Sequence, residues 1–241
     1  MAQKAFTILE VLVTIAVLSG LLFVLLPSLG GVRDAARESI SLSNLRQHGT
    51  TTVVYQGDWN GVFPYLTNPR ASETIIRFPD GRPPRQLRYF DAWFGWSDAL
   101  GPNYYNGYDD GSFSSPFEDR LLWGTHYWYS CSFLCRPEYW NTKTRLDGRS
   151  QWRPTRVHEC IYPSNKAVFI DVTPFNQDLE EAFNQFQSIR MAFVDGSASR
   201  LVRSQTLLGY PFGDGDFSQS VHVGPGTPGL HTIDGIRGRD R

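Results

Sequence analysis

The chain opens with a long apolar run. Residues 11–29 contain only scattered small polar residues, and one acidic residue, Glu10, stands directly before them. As an α-helix, a run of this length would extend roughly 28 Å, close to the thickness of the hydrocarbon core of a bilayer. A carboxylate beside such a helix is costly unless it has a specific partner. The pattern therefore predicts a transmembrane helix over residues 6–29, with Glu10 as a functional residue at its start.

A second helical pattern follows over residues 30–56. Charged residues occupy several faces of this segment, whereas small and apolar residues recur at helical spacing along one stripe: Ala35, Leu42, Leu45, Gly49 and Thr52. The stripe predicts an amphipathic continuation of the first helix to about Tyr55. Pro27 and the pair Gly30-Gly31 are the predicted points of bending.

The clearest strand signals come after residue 165. Residues 166–172 have the pattern of a short apolar strand. Residues 189–194 and 197–202 flank Asp195-Gly196, a dipeptide that suits the tight turn of a β-hairpin. A helix that precedes a strand and a hairpin predicts an α+β fold.

Two other regions lack such periodicity. Residues 57–208 are predicted to form a globular head domain, and half of the aromatic residues of the chain lie within it, between Tyr89 and Trp140. Because apolar and polar residues do not alternate there, this stretch predicts a loop-rich, aromatic head. Residues 209–241 are rich in Gly and Pro, and they predict a tail that lies on the surface without regular structure.

Composition and charge exclude several functions. The chain has 241 residues and a formal net charge of −1, so it offers no basic footprint for nucleic acid. Three cysteines are too few for a disulfide scaffold. The sequence contains no phosphate-binding loop, no Gly-x-Ser-x-Gly elbow and no His-Glu-x-x-His motif. We therefore expect neither an enzyme nor a nucleic-acid-binding protein.

The N-terminal residues "KAFTILEVLVTIAVLSGLLFVLLP" resemble the start of type IV pilins and type II secretion pseudopilins. In that family a peptidase removes a short basic leader before a Phe, and the new amine is methylated. The resemblance implies cleavage between Ala5 and Phe6, which makes residues 1–5 the leader and Glu10 the fifth residue of the mature chain. It also gives Pro27 the place of a helix-bending proline. Ala5 departs from the Gly that usually precedes the cleaved bond.

Two later stretches resemble secretion-protein-G-like pseudopilins of the planctomycete type. They are "NLRQ" at 44–47, followed by Tyr55, Asp58, Gly61 and Pro64, and "AFVDGSASRLV" at 192–202. Gln185 stands where the second motif usually has His. The resemblance implies an α+β, pilin-like fold. In that fold a long N-terminal helix, with a membrane half and an amphipathic half, packs on an antiparallel sheet that carries the aromatic head.

The same resemblance implies a function and a location. It implies a structural subunit of a type II secretion pseudopilus or type IV pilus-like filament, processed by a prepilin peptidase and assembled by helix packing. Glu10 would pair with the N-terminal amine of a neighbouring pilin or pseudopilin subunit. The implied partners are the peptidase, such subunits, a secretion assembly platform and the membrane. The implied location is the inner (cytoplasmic) membrane, as a single-pass protein with a cytoplasmic N-terminus and an extracytoplasmic head.

Other interpretations of the same pattern stay open at this point. The apolar run has features of a cleaved signal peptide and of a plain membrane anchor, although neither explains Glu10. The aromatic residues could form a platform on which sugar rings stack. The alternative function is therefore a membrane-anchored extracellular carbohydrate-binding protein.

Acidic loops with Gly are the candidate metal sites. They contain Asp109 and Asp110 in one loop and Asp214 and Asp216 in another. Oxygen-rich loops of this kind can hold calcium, and major pseudopilins bind calcium in their heads. Neither loop has the full ligand spacing of a calcium motif, so solvated turns are the other interpretation. We therefore expect no cofactor, and calcium in the head is the one candidate that these loops leave open.

Cysteine and histidine give weaker signals. Cys131 and Cys135 have a spacing that suits a small disulfide loop, which would leave Cys160 over unless it pairs with one of them. A zinc site with His126 or His158 fits no strong spacing pattern.

Overall fold

The computed structural model describes residues 7–118, 124–171, 188–210 and 227–241, without the side chains of residues 24–29. The chain divides into two compact units. Unit 1 comprises residues 1–39, and unit 2 comprises residues 40–241. The predicted boundary between helix and head at residue 56 is therefore not the boundary between the units, because the last part of the first helix belongs to unit 2.

Helix α1 runs from Ile8 to Asp58. Residues 40–58 of this helix have one buried stripe, in which Leu45 and Thr52 are almost inaccessible to solvent. The helix packs closely on the sheet of unit 2, since a Cβ atom at Gly49 would lie 3.8 Å from the Cα atom of Gly196. Asn60 and Gly61, both with positive φ, follow the helix and favour its termination there. The helix continues through residues 30–56, but Ala35 is exposed and the buried stripe starts only at residue 41.

Unit 2 contains six described strands: β1 (Thr74–Ile76), β2 (Arg85–Leu87), β3 (Tyr127–Tyr129), β4 (Ala167–Asp171), β5 (Ser188–Phe193) and β6 (Ala198–Val202). Its main sheet has four antiparallel strands in the order β3-β4-β5-β6. A separate two-stranded sheet pairs β1 with β2. The predicted strand over 166–172 and the predicted hairpin around Asp195-Gly196 are confirmed, because β4 is a core strand and β5 and β6 pair directly in sequence order. Gly196 adopts the positive φ that the tight turn needs.

The aromatic stretch forms the core of unit 2. It contributes helix α2 (Ala92–Tyr104), strand β3 and several short 3-10 turns. Eight of its large side chains are less than 2% exposed: Tyr89, Trp96, Phe113, Tyr127, Tyr129, Phe133, Tyr139 and Trp140. Many of them meet edge to face, as Trp96 and Phe113 do with ring centroids 5.4 Å apart. The high aromatic content of this stretch thus serves burial.

The described chain is α+β with antiparallel sheets, but the prediction of a pilin-like fold with a membrane half is wrong. Among the residues that the structure describes, no helix is long and apolar enough to cross a membrane. Helix α1 begins with a mostly apolar stretch. Charged residues, including Arg33 and Asp34, follow in the same helix. The predicted transmembrane helix and the predicted single-pass location in the inner membrane are wrong for the same reason.

The prediction for the C-terminal tail is also wrong over residues 227–241. Leu230 and Ile236 are fully buried, and Asp240 is 1% exposed. Thr227, His231 and Thr232 are buried as well, so unit 2 supplies partners for polar as well as apolar side chains of this Gly-rich segment. The rest of the predicted tail, residues 211–226, lies outside the described residues.

Candidate functional site

The most unusual surface of the protein is the first part of helix α1, which we call the apolar segment (residues 8–23). Its large apolar side chains are between 45% (Val11) and 82% (Ile8) exposed. They lie on every face of the helix rather than along one stripe. A helix that is apolar all round is normally buried, and a large exposed apolar surface marks an interaction site. The apolar segment therefore has the properties of a surface that a partner covers.

Glu10 lies at the start of this segment and forms a capping box with Thr7. One carboxylate oxygen, Oε2, accepts hydrogen bonds from the backbone N–H of Thr7 (2.8 Å) and from its hydroxyl (2.9 Å). The Thr7 hydroxyl oxygen in turn accepts from the backbone N–H of Glu10 (3.3 Å). The hydrogen bonds from Thr7 lower the pKa of Glu10. The carboxylate is thus charged, fixed in orientation and exposed.

The capping box was readable in the sequence. Thr-x-x-Glu before an apolar run is the usual signal for it, and residues 7–10 match that pattern. It gives Glu10 a local structural role beside the predicted pairing with a neighbouring amine. The predicted processing residues, Ala5 and Phe6, lie outside the described residues. Pro27 lies inside α1, and its side chain is not among those described.

The other end of α1 is anchored in unit 2 by His48, which the sequence gave no reason to single out. The ring is fully buried among aromatic side chains, with the Trp96 and Tyr127 centroids each 4.9 Å away. Its Nε2 lies 3.0 Å from the carbonyl oxygen of Ser112, which can only accept, so Nε2 carries the hydrogen. Its Nδ1 then accepts from the hydroxyl of Tyr105 (2.8 Å). Burial lowers the pKa of His48 to about 3, which keeps the ring neutral.

A buried carboxylate provides a second anchor for α1. Asp171, at the end of β4, accepts hydrogen bonds from the hydroxyls of Ser41 (2.5 Å) and Ser115 (3.1 Å). The guanidinium of Arg190 lies 3.6 Å from the same oxygen. The amide of Asn44 donates to the hydroxyl of Tyr127 (3.1 Å). Polar residues of α1 therefore fix the helix to the sheet together with the apolar stripe.

Both carboxylates of the acidic loop at 109–112 accept hydrogen bonds from other residues of the protein. Both carboxylate oxygens of Asp109 accept from Arg82 (3.0 and 2.8 Å). The Asp110 carboxylate accepts hydrogen bonds from the backbone N–H (2.9 Å) and the hydroxyl (2.6 Å) of Ser112, and it thereby caps a 3-10 turn. These hydrogen bonds lower the pKa of Asp110. Within the described ranges, no group of three or more His, Cys, Asp or Glu residues could hold a metal ion. Asp214 and Asp216 lie outside those ranges.

The cysteines are free thiols, so the predicted small disulfide loop is absent from this structure. Cys131 and Cys135 are both buried, and burial raises the pKa of each thiol. His126 accepts through Nδ1 from the backbone N–H of Ser115 (2.9 Å), and His158 is exposed.

Most of the described aromatic side chains in the stretch that suggested a sugar platform are buried. Trp93, Trp96, Trp128 and Trp140 are each at most 6% exposed. Stacking on a sugar requires an accessible ring face. The geometry of this stretch therefore supports packing rather than carbohydrate binding.

Comparisons with known proteins found no match for the chain. No protein-family model matches it, and neither a curated protein nor a solved structure shows significant similarity to it. The comparisons thus lend no support to membership of the pseudopilins or to a role in secretion.

Proposed function

We propose that the protein is a prepilin-like structural subunit that assembles with further copies into a filament through helix α1. The observation that carries the proposal is the exposed apolar segment, whose side chains are at least 45% accessible on every face. Burial of apolar surface is the main driving force for association, and a helix that is apolar all round can pack against several neighbours at once. Helix packing between copies would cover this surface.

The start of the helix supports the same proposal. Removal of residues 1–5 by a prepilin peptidase would create a cationic amine four residues before Glu10. The carboxylate of Glu10 keeps its charge and its fixed orientation through the hydrogen bonds from Thr7. It is fully exposed, so its other oxygen is accessible to a cation of a second copy. An ion pair of this kind would set the relative position of two packed helices.

The first experiment changes the apolar surface of the segment. The double substitution Leu12→Glu and Leu18→Glu places two charges on residues that are 60% and 58% exposed, so it leaves unit 2 folded and prevents helix packing. The matched control is Val53→Glu, which changes an equally exposed residue (51%) of the same helix outside the apolar segment. Electron microscopy and sedimentation of the chain produced together with a prepilin peptidase measure assembly.

We expect filaments from the wild type and from the control, and monomers from the double variant. A wild-type chain that stays monomeric after processing would contradict the proposal. So would a double variant that assembles as the wild type does.

A second experiment separates the two roles of Glu10. Glu10→Gln keeps a side-chain oxygen that can accept from Thr7 and removes the charge. If the charge pairs with a cation of a neighbour, this variant is processed normally and fails to assemble. If the carboxylate only caps the helix, the variant assembles as the wild type does, and the pairing role is wrong.

A further inference from the structure

One tryptophan of unit 2 is exposed. Trp59 follows directly after helix α1, and it is 53% exposed. The other tryptophans that the structure describes are buried or partly buried. Exposure alone would not indicate a function, because single apolar side chains are common on protein surfaces. What distinguishes Trp59 is that other side chains hold its ring in one orientation.

The ring of Trp59 is fixed at one face and at one edge. Tyr55, one helical turn earlier, stacks on it with ring centroids 5.7 Å apart and an interplanar angle of 17°. The indole Nε1 donates to the hydroxyl of Tyr104 (3.2 Å), and this hydroxyl donates to Oδ2 of Asp58 (3.0 Å). Tyr55 is itself buried, so the support of the ring belongs to the core. The indole is therefore preorganised although it is exposed.

The opposite face of the Trp59 ring is open to solvent. Tyr55 stacks on one face, so a side chain that is still more than half exposed presents the other face to water. Stacking on a sugar requires an accessible ring face of this kind. Trp59 meets that requirement, whereas the buried tryptophans of the aromatic stretch do not.

Hydrogen-bonding groups lie at the edge of the same ring. The Tyr104 hydroxyl and the Asp58 carboxylate form a chain that starts at the indole nitrogen. Asp58 is exposed, and none of the described residues donates to its second oxygen, Oδ1. The guanidinium of Arg156 donates to the carbonyl oxygen of Asn60, the residue after Trp59 (2.9 Å). A flat apolar face with polar groups at its edge suits a ligand that has the same two features.

A pyranose with equatorial hydroxyl groups is such a ligand. Its axial C–H bonds form an apolar face, and its hydroxyl groups project from the edge of the ring. The face can stack on an indole, and a hydroxyl at the edge can donate to a carboxylate. Ligand sites in proteins generally combine aromatic contacts with a few polar groups that fix the orientation of the ligand.

We propose that Trp59 and Asp58 form a binding site for a saccharide with equatorial hydroxyl groups. One sugar ring stacks on the open face of the indole, and one of its hydroxyls donates to Oδ1 of Asp58. The inference goes beyond the proposed function and does not depend on it, because Trp59 belongs to unit 2 and the apolar segment belongs to unit 1.

A protein surface is the other occupant that an exposed tryptophan suits, since tryptophan often anchors protein interfaces. The exposed carboxylate of Asp58 beside the ring favours a saccharide, because charged residues are depleted at the centre of protein interfaces. The experiment below distinguishes the two occupants.

Saturation-transfer NMR of the full-length chain with cellohexaose, xylohexaose or chitohexaose tests the proposal. The sugar is observed and the protein is saturated, so the measurement works whether or not the chain is assembled. We expect transfer to at least one of these oligosaccharides, strongest at the axial C–H protons of a ring face. Trp59→Ala should weaken binding at least about tenfold, and Asp58→Asn about threefold.

Tyr162→Ala is the matched control. It removes another exposed aromatic side chain (41%), one that has the guanidinium of Arg239 over its ring at 5.0 Å. We expect this variant to bind as the wild type does. Thermal unfolding of each variant shows that unit 2 is folded. If Trp59→Ala is unfolded, Trp59→Leu replaces it, because Leu keeps an apolar contact with Tyr55 and lacks a flat ring.

Two results would overturn the proposal. One is the absence of transfer to all of these oligosaccharides, and the other is transfer that persists unchanged without the indole ring. If no sugar binds and the loss of the ring reduces assembly, a second copy of the chain covers Trp59 in place of a saccharide. If sugar binds through Trp59 and no filament forms under any condition, the proposed function fails and the saccharide site stands.

Discussion

The two ends of the chain reverse the usual relation between composition and burial. The apolar segment (residues 8–23) is almost entirely apolar, and its large side chains are exposed. Residues 227–241 are mostly polar or Gly, and yet their side chains include some of the most deeply buried in unit 2. A segment is therefore buried when the rest of its own chain offers it a complementary surface. Under our proposal, the partners of the apolar segment are in other molecules.

The C-terminal segment is buried because its polar groups are satisfied. The carboxylate of Asp240 accepts from the ammonium of Lys166 (2.9 Å) and from the backbone N–H of Ala167 (2.8 Å). Lys166 is itself fully buried, and it also contacts the hydroxyl of Thr232. The carbonyl of Leu230 accepts from the backbone N–H of Cys131 (2.9 Å). A charge can be buried when an opposite charge and hydrogen bonds compensate for lost water.

Deletion of each end tests this contrast with the largest expected effect. Removal of residues 227–241 should lower the free energy of unfolding of unit 2 by about 5 kcal/mol or more, because it uncovers the core and leaves Lys166 without its carboxylate. Removal of residues 1–23 should change that free energy by less than about 1 kcal/mol. Urea unfolding followed by tryptophan fluorescence measures both. Similar losses from the two deletions would mean that the ends are equivalent in folding.

The buried ion pair is the most sensitive point of the C-terminal end. Lys166→Met leaves the Asp240 carboxylate buried without its partner and should cost about 3–5 kcal/mol of unfolding free energy. The double variant Lys166→Met with Asp240→Leu removes both charges and should recover most of that loss. Chemical denaturation of the wild type, both single variants and the double variant completes the cycle. A double variant as unstable as the sum of its parts would show that the two side chains act independently.

The same substitution at each end makes a matched comparison. Leu230→Ala removes a fully buried side chain and should cost about 3 kcal/mol. Leu12→Ala removes a side chain that is 60% exposed and should change the free energy of unfolding by less than about 0.5 kcal/mol. Thermal unfolding of the two variants beside the wild type gives the difference. Under the proposed function, Leu12→Ala weakens assembly and Leu230→Ala weakens folding.

The smallest expected effect is a pH dependence at the C-terminal end. Burial lowers the pKa of His231 well below its ordinary value of 6.5, so the unfolded chain binds more protons than the folded chain below that pH. The stabilising contribution of the neutral ring is fully present above pH 6.5, and it is lost as the pH falls below it. The loss approaches about 1.4 kcal/mol per pH unit.

His48 contributes in the same direction, since burial lowers its pKa to about 3. The difference between the wild type and His231→Gln therefore isolates one ring, and urea unfolding between pH 7 and pH 5 measures it. At the N-terminal end, Glu10→Gln should follow the wild-type profile in this range. A His231→Gln chain with an unchanged slope would contradict the buried, neutral state of His231.

Much of the fold could be predicted from local patterns. The strand over residues 166–172, the hairpin at Asp195-Gly196 and the stripe around Leu45 all depend on residues within one turn or one strand of each other. Local steric preferences and periodicity act over that range, so the sequence carries the signal directly. The apolar segment and Glu10 were visible for the same reason.

The buried polar contacts of unit 2 could not be predicted, because they join residues that are far apart in the sequence. Lys166 and Asp240 are 74 positions apart, and Ser41 and Asp171 are 130 apart. Nothing in the neighbourhood of these residues distinguishes them from solvated polar residues. His48 gave equally little sign, because a histidine on an amphipathic helix is as compatible with an exposed position as with a buried one.

The sequence by itself determined where the first helix, strand β4 and the β5–β6 hairpin form and where an apolar surface needs a partner, because short-range sterics and periodicity encode both. Only the tertiary structure decided which surfaces the chain covers for itself. In the folded chain the Gly-rich C-terminal segment is buried against Lys166, whereas the large apolar side chains of residues 8–23 in unit 1 are exposed. The physical reason is that burial requires a complementary surface within reach, and complementarity between distant residues arises only when the chain has folded.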